Sequence, residues 1–270
     1  MLTIFLMSSP KVLTLYLCKN QSDFSYLRFL SVMNQWGIKQ RIFIVSAEPI
    51  RAEVPNIVVT TRKEWLLPVR VGFSVNVALR MIHEKNGISL RDFDYIFKVD
   101  SDLLLPRDYV YSLTSRRAIV GGVGAALLIS VPFFMKATGG KYPINYCDDG
   151  YIFALSVSKG IWPVSYHAKK LLVPPVIFDY KREFAYGVEY YKWGLSPIML
   201  LMVLIFSRFV GLRPHEKRSI KAHIHNIAGY MWAFLHRVEK YHFWRDYRRM
   251  RNRHFAEKVL KLVFYFAGMT

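Results

Sequence analysis

Two aspartates two residues apart, Asp100 and Asp102, close the apolar run Phe97-Lys98-Val99. A second acidic pair, Asp148-Asp149, follows Gly139-Gly140 and opens an apolar stretch that ends at Gly160. Two carboxylates joined by a diphosphate make the all-oxygen shell that Mg²⁺ or Mn²⁺ prefers. A further carboxylate within hydrogen-bond reach of a hydroxyl can take its proton while the oxygen forms a new bond. Asp-x-Asp by itself is weak, because solvated turns carry such residues routinely. The pair at 148–149 has a second reading as a helix cap. The same position also suits an ionised carboxylate through the helix dipole.

The elements that must hold these residues follow from periodicity. KVLTLYLC (11–18), RIFIVSAE (41–48), NIVVTT (56–61) and DYIFKVDSD (94–102) read as strands. DFSYLRFLSVMNQW (23–36) and VGFSVNVALRMIHEKNG (71–87) have helical spacing, and Gly87 closes the second. Strands alternating with helices imply a mostly parallel sheet flanked by helices, with the ligand beyond the carboxyl ends of the strands. The acidic turn at 100–102 stands at one such end. RAIVGGVGAALLISVPFF (117–134) reads as Gly-rich strands that approach another backbone closely. CDDGYIFALSVSKG (147–160) is a helix running from the aspartates to Gly160, with a short strand at 162–166. Gly121-Gly122-Val123-Gly124 lacks the Gly-Lys-Ser/Thr of a phosphate loop and precedes no helix.

Taken in order, KVDSDLLLP, ATGGKYP and CDDGYIFALSVSKGIWPV resemble glycosyltransferase family 2, of the GT-A fold. The resemblance covers residues 11–180 and implies an inverting transfer of one sugar from a nucleotide-diphosphate donor. It implies a divalent metal, Mg²⁺ or Mn²⁺, on Asp102, with Asp100 on the sugar-nucleotide. Asp149 takes the place of the general base, and Asp148, Gly139 and Gly140 stand on the acceptor side. Asn20, in the turn after the first strand, and Glu48, after the second, fall where the family holds the donor nucleoside. The family's Arg after the acidic pair is absent, and so is the Gln-x-x-Arg-Trp signature of processive synthases.

The remaining chain is basic. Of a net charge of +19, most arises in residues 151–270, where 20 Lys+Arg face 7 Asp+Glu. Cys18 and Cys147 have no metal-ligand spacing, and no basic residue precedes the apolar N-terminal run, which argues against a secretory signal. Leu195–Phe206 is apolar but short for a span and contains Pro197. His225–His254 interleaves Trp232, Phe234, Tyr241, Phe243 and Trp244 with many cations, as a helix on an anionic membrane surface would. These features predict a GT-A-type domain over 8–180 and a helical, membrane-associated region over 181–270. The expected place is the cytoplasmic face of a membrane, either peripheral or with one span at 195–212, and the expected acceptor is lipid-linked. Nucleic acid is the weaker partner for the basic half. The rival functional class is a non-catalytic membrane- or nucleic-acid-binding protein that keeps a decayed transferase domain. A nucleotidyltransferase would need a Gly-rich phosphate loop after the first strand, and Cys18-Lys19-Asn20-Gln21-Ser22 is not one.

Overall fold

A computed structural model describes residues 9–166, 179–209 and 220–266, with side chains to 205 in the helix ending at Phe209 and to 257 in the last helix. The lead-in at 1–8 and the cations Arg213, Lys217 and Arg218 lie outside these residues. The described chain divides into two compact units, residues 9–149 with 163–166, and residues 150–162 with 179–209 and 220–266.

The first unit is built on a mixed six-stranded sheet in the order β3-β2-β1-β4-β6-β5. Strands β1 (Lys11–Cys18), β2 (Lys39–Ser46), β3 (Asn56–Val58) and β4 (Tyr95–Asp100) run parallel. A hairpin of β5 (Val120–Val123) and β6 (Ala126–Ser130) adds to β4 antiparallel. The sequence pattern marks the parallel half clearly. It does not show that the Gly-rich run 117–134 reverses direction. The expected strand at 162–166 reduces to one bridge, Gly121 with Val164.

Both faces of the sheet are covered, so β1 and β4 read as nearly unbroken apolar runs. On one face Val12, Tyr16, Phe97 and Val99 pack with Phe29 and Val32 of α1 (Tyr26–Met33) and with Tyr109, Val110 and Leu113 of α3 (Tyr109–Thr114). Helix α2 (Leu67–Asn86) packs against β2 and buries Val75, Ala78, Leu79 and Ile82. It starts four residues earlier than periodicity suggests, because Pro68 suits the first helical turn, and it ends at left-handed Gly87. Helix α4 (Val131–Thr138) ends at Gly139, and Gly139 and Gly140 both have positive φ.

Helix α5 (Asp148–Ser158) starts on the acidic pair, and from Gly150 onward it belongs to the second unit. There α6 (Tyr180–Lys192) and α8 (Ile220–Leu235) cross closely. A Cβ on Gly187 would collide with the Asn226 carbonyl, and one on Gly229 with that of Phe184. The crossing also buries Glu183, whose carboxylate accepts from Asn226 Nδ2 at 2.8 Å. Glu189, fully buried, accepts from the Tyr241 hydroxyl at 2.7 Å and from Lys192 at 3.1 Å.

Two expectations for this half meet the structure in part. Within the run expected at 195–212 as an in-plane or spanning segment, the described residues form α7 (Pro197–Phe209), which buries Met199, Leu200 and Leu204 and leaves Ile198, Leu201 and Ile205 exposed. Among the described residues no helix is long and apolar enough to cross a membrane. The stretch 225–254 is not one helix but parts of α8 and α9 (Trp244–Phe266), and its aromatics divide. Phe243 is buried and Tyr241 turns inward to Glu189, so neither stands at headgroup depth.

The glycine crossing gives a direct test. Gly187→Ala and Gly229→Ala should each lower stability by about 1–3 kcal/mol through backbone overlap, seen as an earlier urea midpoint in far-UV circular dichroism. Midpoints equal to wild type would mean that α6 and α8 do not meet at these residues.

Candidate active site

A cleft of about 560 Å³ opens beyond the carboxyl ends of β1, β2, β3 and β4. Leu17 and Cys18, Val45 and Ser46, Val59, and Asp100 to Asp102 line it from the four strands. Leu67, Arg70, Val71 and Ser74 line it from α2. Their spacing of i, i+3, i+4 and i+7 is one helical face. Lys19, Arg28 and Arg70 make the lining cationic opposite the acidic turn. The Arg70 Nε is buried without a hydrogen-bond partner, an unmet donor of the kind that an incoming anion can satisfy.

The acidic turn is held by backbone bonds to both sides. Asp100 N–H donates to the Ala125 carbonyl, and Ser101 N–H to that of Leu17, each at 2.8 Å. Lys98 and Asp100, two apart in β4, point to the same face of the strand. There the Lys98 ammonium, 4% exposed, pairs with Asp100 Oδ1 at 2.9 Å and donates to the Gly124 carbonyl at 3.2 Å. Burial alone would depress the lysine's pKa, but Asp100, Asp148 and Asp149 together hold it above its ordinary value. Burial pushes Asp100 above the usual carboxylate range, opposed by Lys98 and reinforced by Asp102 and Asp149. Asp102 itself is exposed and lines the cleft.

The second acidic pair adjoins this ion pair. A Cβ on Gly124 would overlap Asp149 Oδ2, so the glycine lets that carboxylate lie against the hairpin turn. The Cys147 thiol donates to Asp149 Oδ1 at 3.4 Å. Asp148 is buried and accepts from the Tyr142 hydroxyl at 2.8 Å. Burial, with Asp149 and Asp100 adding to it against Lys98 and Tyr142, pushes Asp148 up to about 6. Tyr142 is fixed in turn by Asn76 of α2, which donates to its carbonyl at 2.7 Å and accepts from its N–H at 2.8 Å. Tyr142 is raised well above its ordinary pKa by burial and then by Asp148 and Asp149.

The structure therefore brings together Asp100, Asp148 and Asp149 around Lys98, and sets Asp102 in the adjoining cleft. Gly139 and Gly140 close α4 and lead the chain toward Tyr142. Asn20 and Glu48 are not among the lining residues. Asn20 Oδ1 accepts from the Ser22 hydroxyl and the Asp23 N–H, which makes it part of the turn. Glu48 is exposed, and its carbonyl accepts from the Ser46 hydroxyl. Sequence reasoning missed Arg28, Arg70, Ser74, Lys98, Asn76 and Tyr142. The signal for Lys98 was a cation inside an apolar strand, and for Arg70 and Ser74 the helical face they share with Leu67.

Among the described residues no group of three or more His, Cys, Asp or Glu could hold a metal ion. Asp102, exposed in the cleft, suits a cation that takes one or two carboxylates and completes its shell with phosphate oxygens and water.

No protein-family profile matches the chain. No curated protein matches it. Among solved structures the chain is similar to the mannosyltransferase PcManGT from Pyrobaculum calidifontis in complex with GDP-Man and Mn²⁺. That match has 13% identity, covers 94% of this chain and 87% of that one, and has a TM-score of 0.48. It is also similar to S. aureus TarS 1-349 in complex with UDP-GlcNAc, at 10% identity, 77% and 69% coverage and a TM-score of 0.46. Likeness of this degree assigns no residue roles here.

The raised Asp148 fixes a pH dependence. Between about pH 4, the unfolded carboxyl's range, and pH 6, the native state binds more protons than the unfolded chain, so stability falls as pH rises. Relative to Asp148→Asn, the wild type should lose on the order of 2 kcal/mol between pH 4 and pH 7, measured by denaturant unfolding. A pH-independent difference would remove the burial effect.

Proposed function

We propose that this chain is a glycosyltransferase that moves one sugar from a nucleoside-diphosphate donor to an acceptor hydroxyl with inversion. The observation that carries the reading is the juxtaposition of a cation-lined cleft, an acidic turn at its floor and a second carboxylate beside that turn. A diphosphate suits the cleft because Arg28, Arg70 and Lys19 can neutralise it and hydrogen-bond to it. The nucleoside end is assigned to the wall made by Ser46, Ala47, Val59 and Thr61, in place of Asn20 and Glu48.

Because Lys98 already neutralises Asp100, Asp102 is the carboxylate left to hold a divalent cation, Mg²⁺ or Mn²⁺. Such a cation would stabilise charge on the departing diphosphate. Asp149 is assigned as general base. The acceptor oxygen attacks the anomeric carbon, its proton passes to the Asp149 carboxylate, and the bond to the diphosphate breaks as the nucleoside diphosphate leaves. One displacement of this kind inverts the anomeric centre. Asp148, Gly139 and Gly140 are placed on the acceptor side, and Asn76 acts through Tyr142 as a positioning residue. A lipid-linked acceptor is the working choice.

The test is release of nucleoside diphosphate from UDP-, GDP- and dTDP-sugars with Mg²⁺ or Mn²⁺. Asp149→Asn should reduce turnover about 10²-fold or more, and Asp102→Asn should abolish metal dependence, with unfolding midpoints retained in both. Arg70→Ala should raise the donor KM about tenfold, the loss of one charge-assisted contact, and change kcat less. Absence of any nucleotide binding by calorimetry, with or without metal, would overturn the reading.

A further inference from the structure

Helix α8 carries two apolar faces on opposite sides. Ala222, Asn226, Gly229, Tyr230 and Ala233 face α6 and are buried. Turned away from them, Ile220, Ile224, Ile227, Met231 and Leu235 form a second row at i, i+4, i+7, i+11 and i+15. That row is open to solvent, with Ile220 at 64% and Leu235 at 69% exposure. Phe234 borders it on one side. On the other flank lie Lys221, His225, Trp232 and His236, with the His236 ring stacked on Trp232 at 4.6 Å. A helix apolar on both faces belongs in an apolar surrounding on both. Packing against α6 accounts for only one. Helix α7 of the same unit repeats the pattern on a smaller scale, with Ile198, Leu201 and Ile205 exposed at i, i+3 and i+7.

We propose that the free face of α8 docks onto an anionic lipid bilayer, lying in its interface. Charge decides the occupant. The chain carries +19, with 20 Lys+Arg against 7 Asp+Glu in residues 151–270. A second copy would bring the same surplus against it, whereas an anionic headgroup layer neutralises it. The arrangement is that of an interfacial helix, aliphatic side chains entering the acyl boundary with Trp232 and cations at the headgroups. The row differs from the aromatic–cation stretch expected from sequence, since Tyr241 and Phe243 are held inside the unit. The proposal does not rest on the transferase reading.

The experiment uses the full chain with sedimenting vesicles of phosphatidylcholine, alone or with one-quarter phosphatidylglycerol. Wild type should bind the mixed vesicles, weaken on neutral ones, and show a blue shift of tryptophan emission. The triple variant Ile224→Asp, Ile227→Asp, Met231→Asp should reduce partitioning about tenfold or more, with the helical circular dichroism retained. Lys221→Glu with Arg237→Glu, which leaves the aliphatic row intact, should erase the preference for mixed vesicles. A triple variant that partitions like wild type overturns the proposal. So does self-association of wild type that the triple variant abolishes without any vesicle binding, or binding to single-stranded RNA in place of vesicles.

Discussion

One buried ammonium sets the conditions for the whole acidic centre. Lys98 sits in a central strand with almost no exposure, and it pairs with Asp100 while bonding the Gly124 carbonyl. An isolated buried charge is strongly unfavourable, and so is a set of carboxylates crowded without a counter-ion. Each here makes the other tolerable. The lysine joins the end of β4 to the hairpin turn, the turn admits Asp149 only because it holds a glycine, and Asp148 is buried beside them. The pair also divides labour between two aspartates that look equivalent in sequence. Asp100 is committed to an internal partner, and Asp102, two residues further, faces the cleft.

The cleft gains its character from a different part of the chain. Parallel strands ending together leave their last residues pointing at a common ligand, and the first turn of α2 supplies a cationic face across from them. The second face of the same helix reaches Tyr142 through Asn76. A single helix thus touches both the anion-binding wall and the support of the second acidic pair. In the proposed reaction, donor binding and acceptor positioning would share that one rigid element.

Much of this fold is legible in the amino-acid sequence. The short apolar runs of β1, β2 and β4, the 3.6-residue period of α2 with Gly87 at its end, and the helix opened by Asp148-Asp149 are all local patterns. What stays hidden depends on residues far apart in the chain. Asn76 meets Tyr142 and Lys98 meets Gly124 because of sheet order, which no window of sequence contains. Place in a motif points to Glu48 and Asn20, but it does not show that the Asn20 carboxamide oxygen is bonded within its own turn. The aromatic, basic C-terminal stretch is a similar case. Its composition suits a membrane surface, and the fold divides its aromatics: Tyr230, Phe243 and Tyr247 are buried while Trp232 and Phe234 are exposed.

Gly124 has a consequence for how the acid beside it can be adjusted. Its missing side chain is the space in which the Asp149 carboxylate rests. A side chain at 124, 25 positions away in the sequence, can enter that space only if the carboxylate swings aside. Residue 124 is therefore a handle on the orientation of the acid that leaves the acid itself in place.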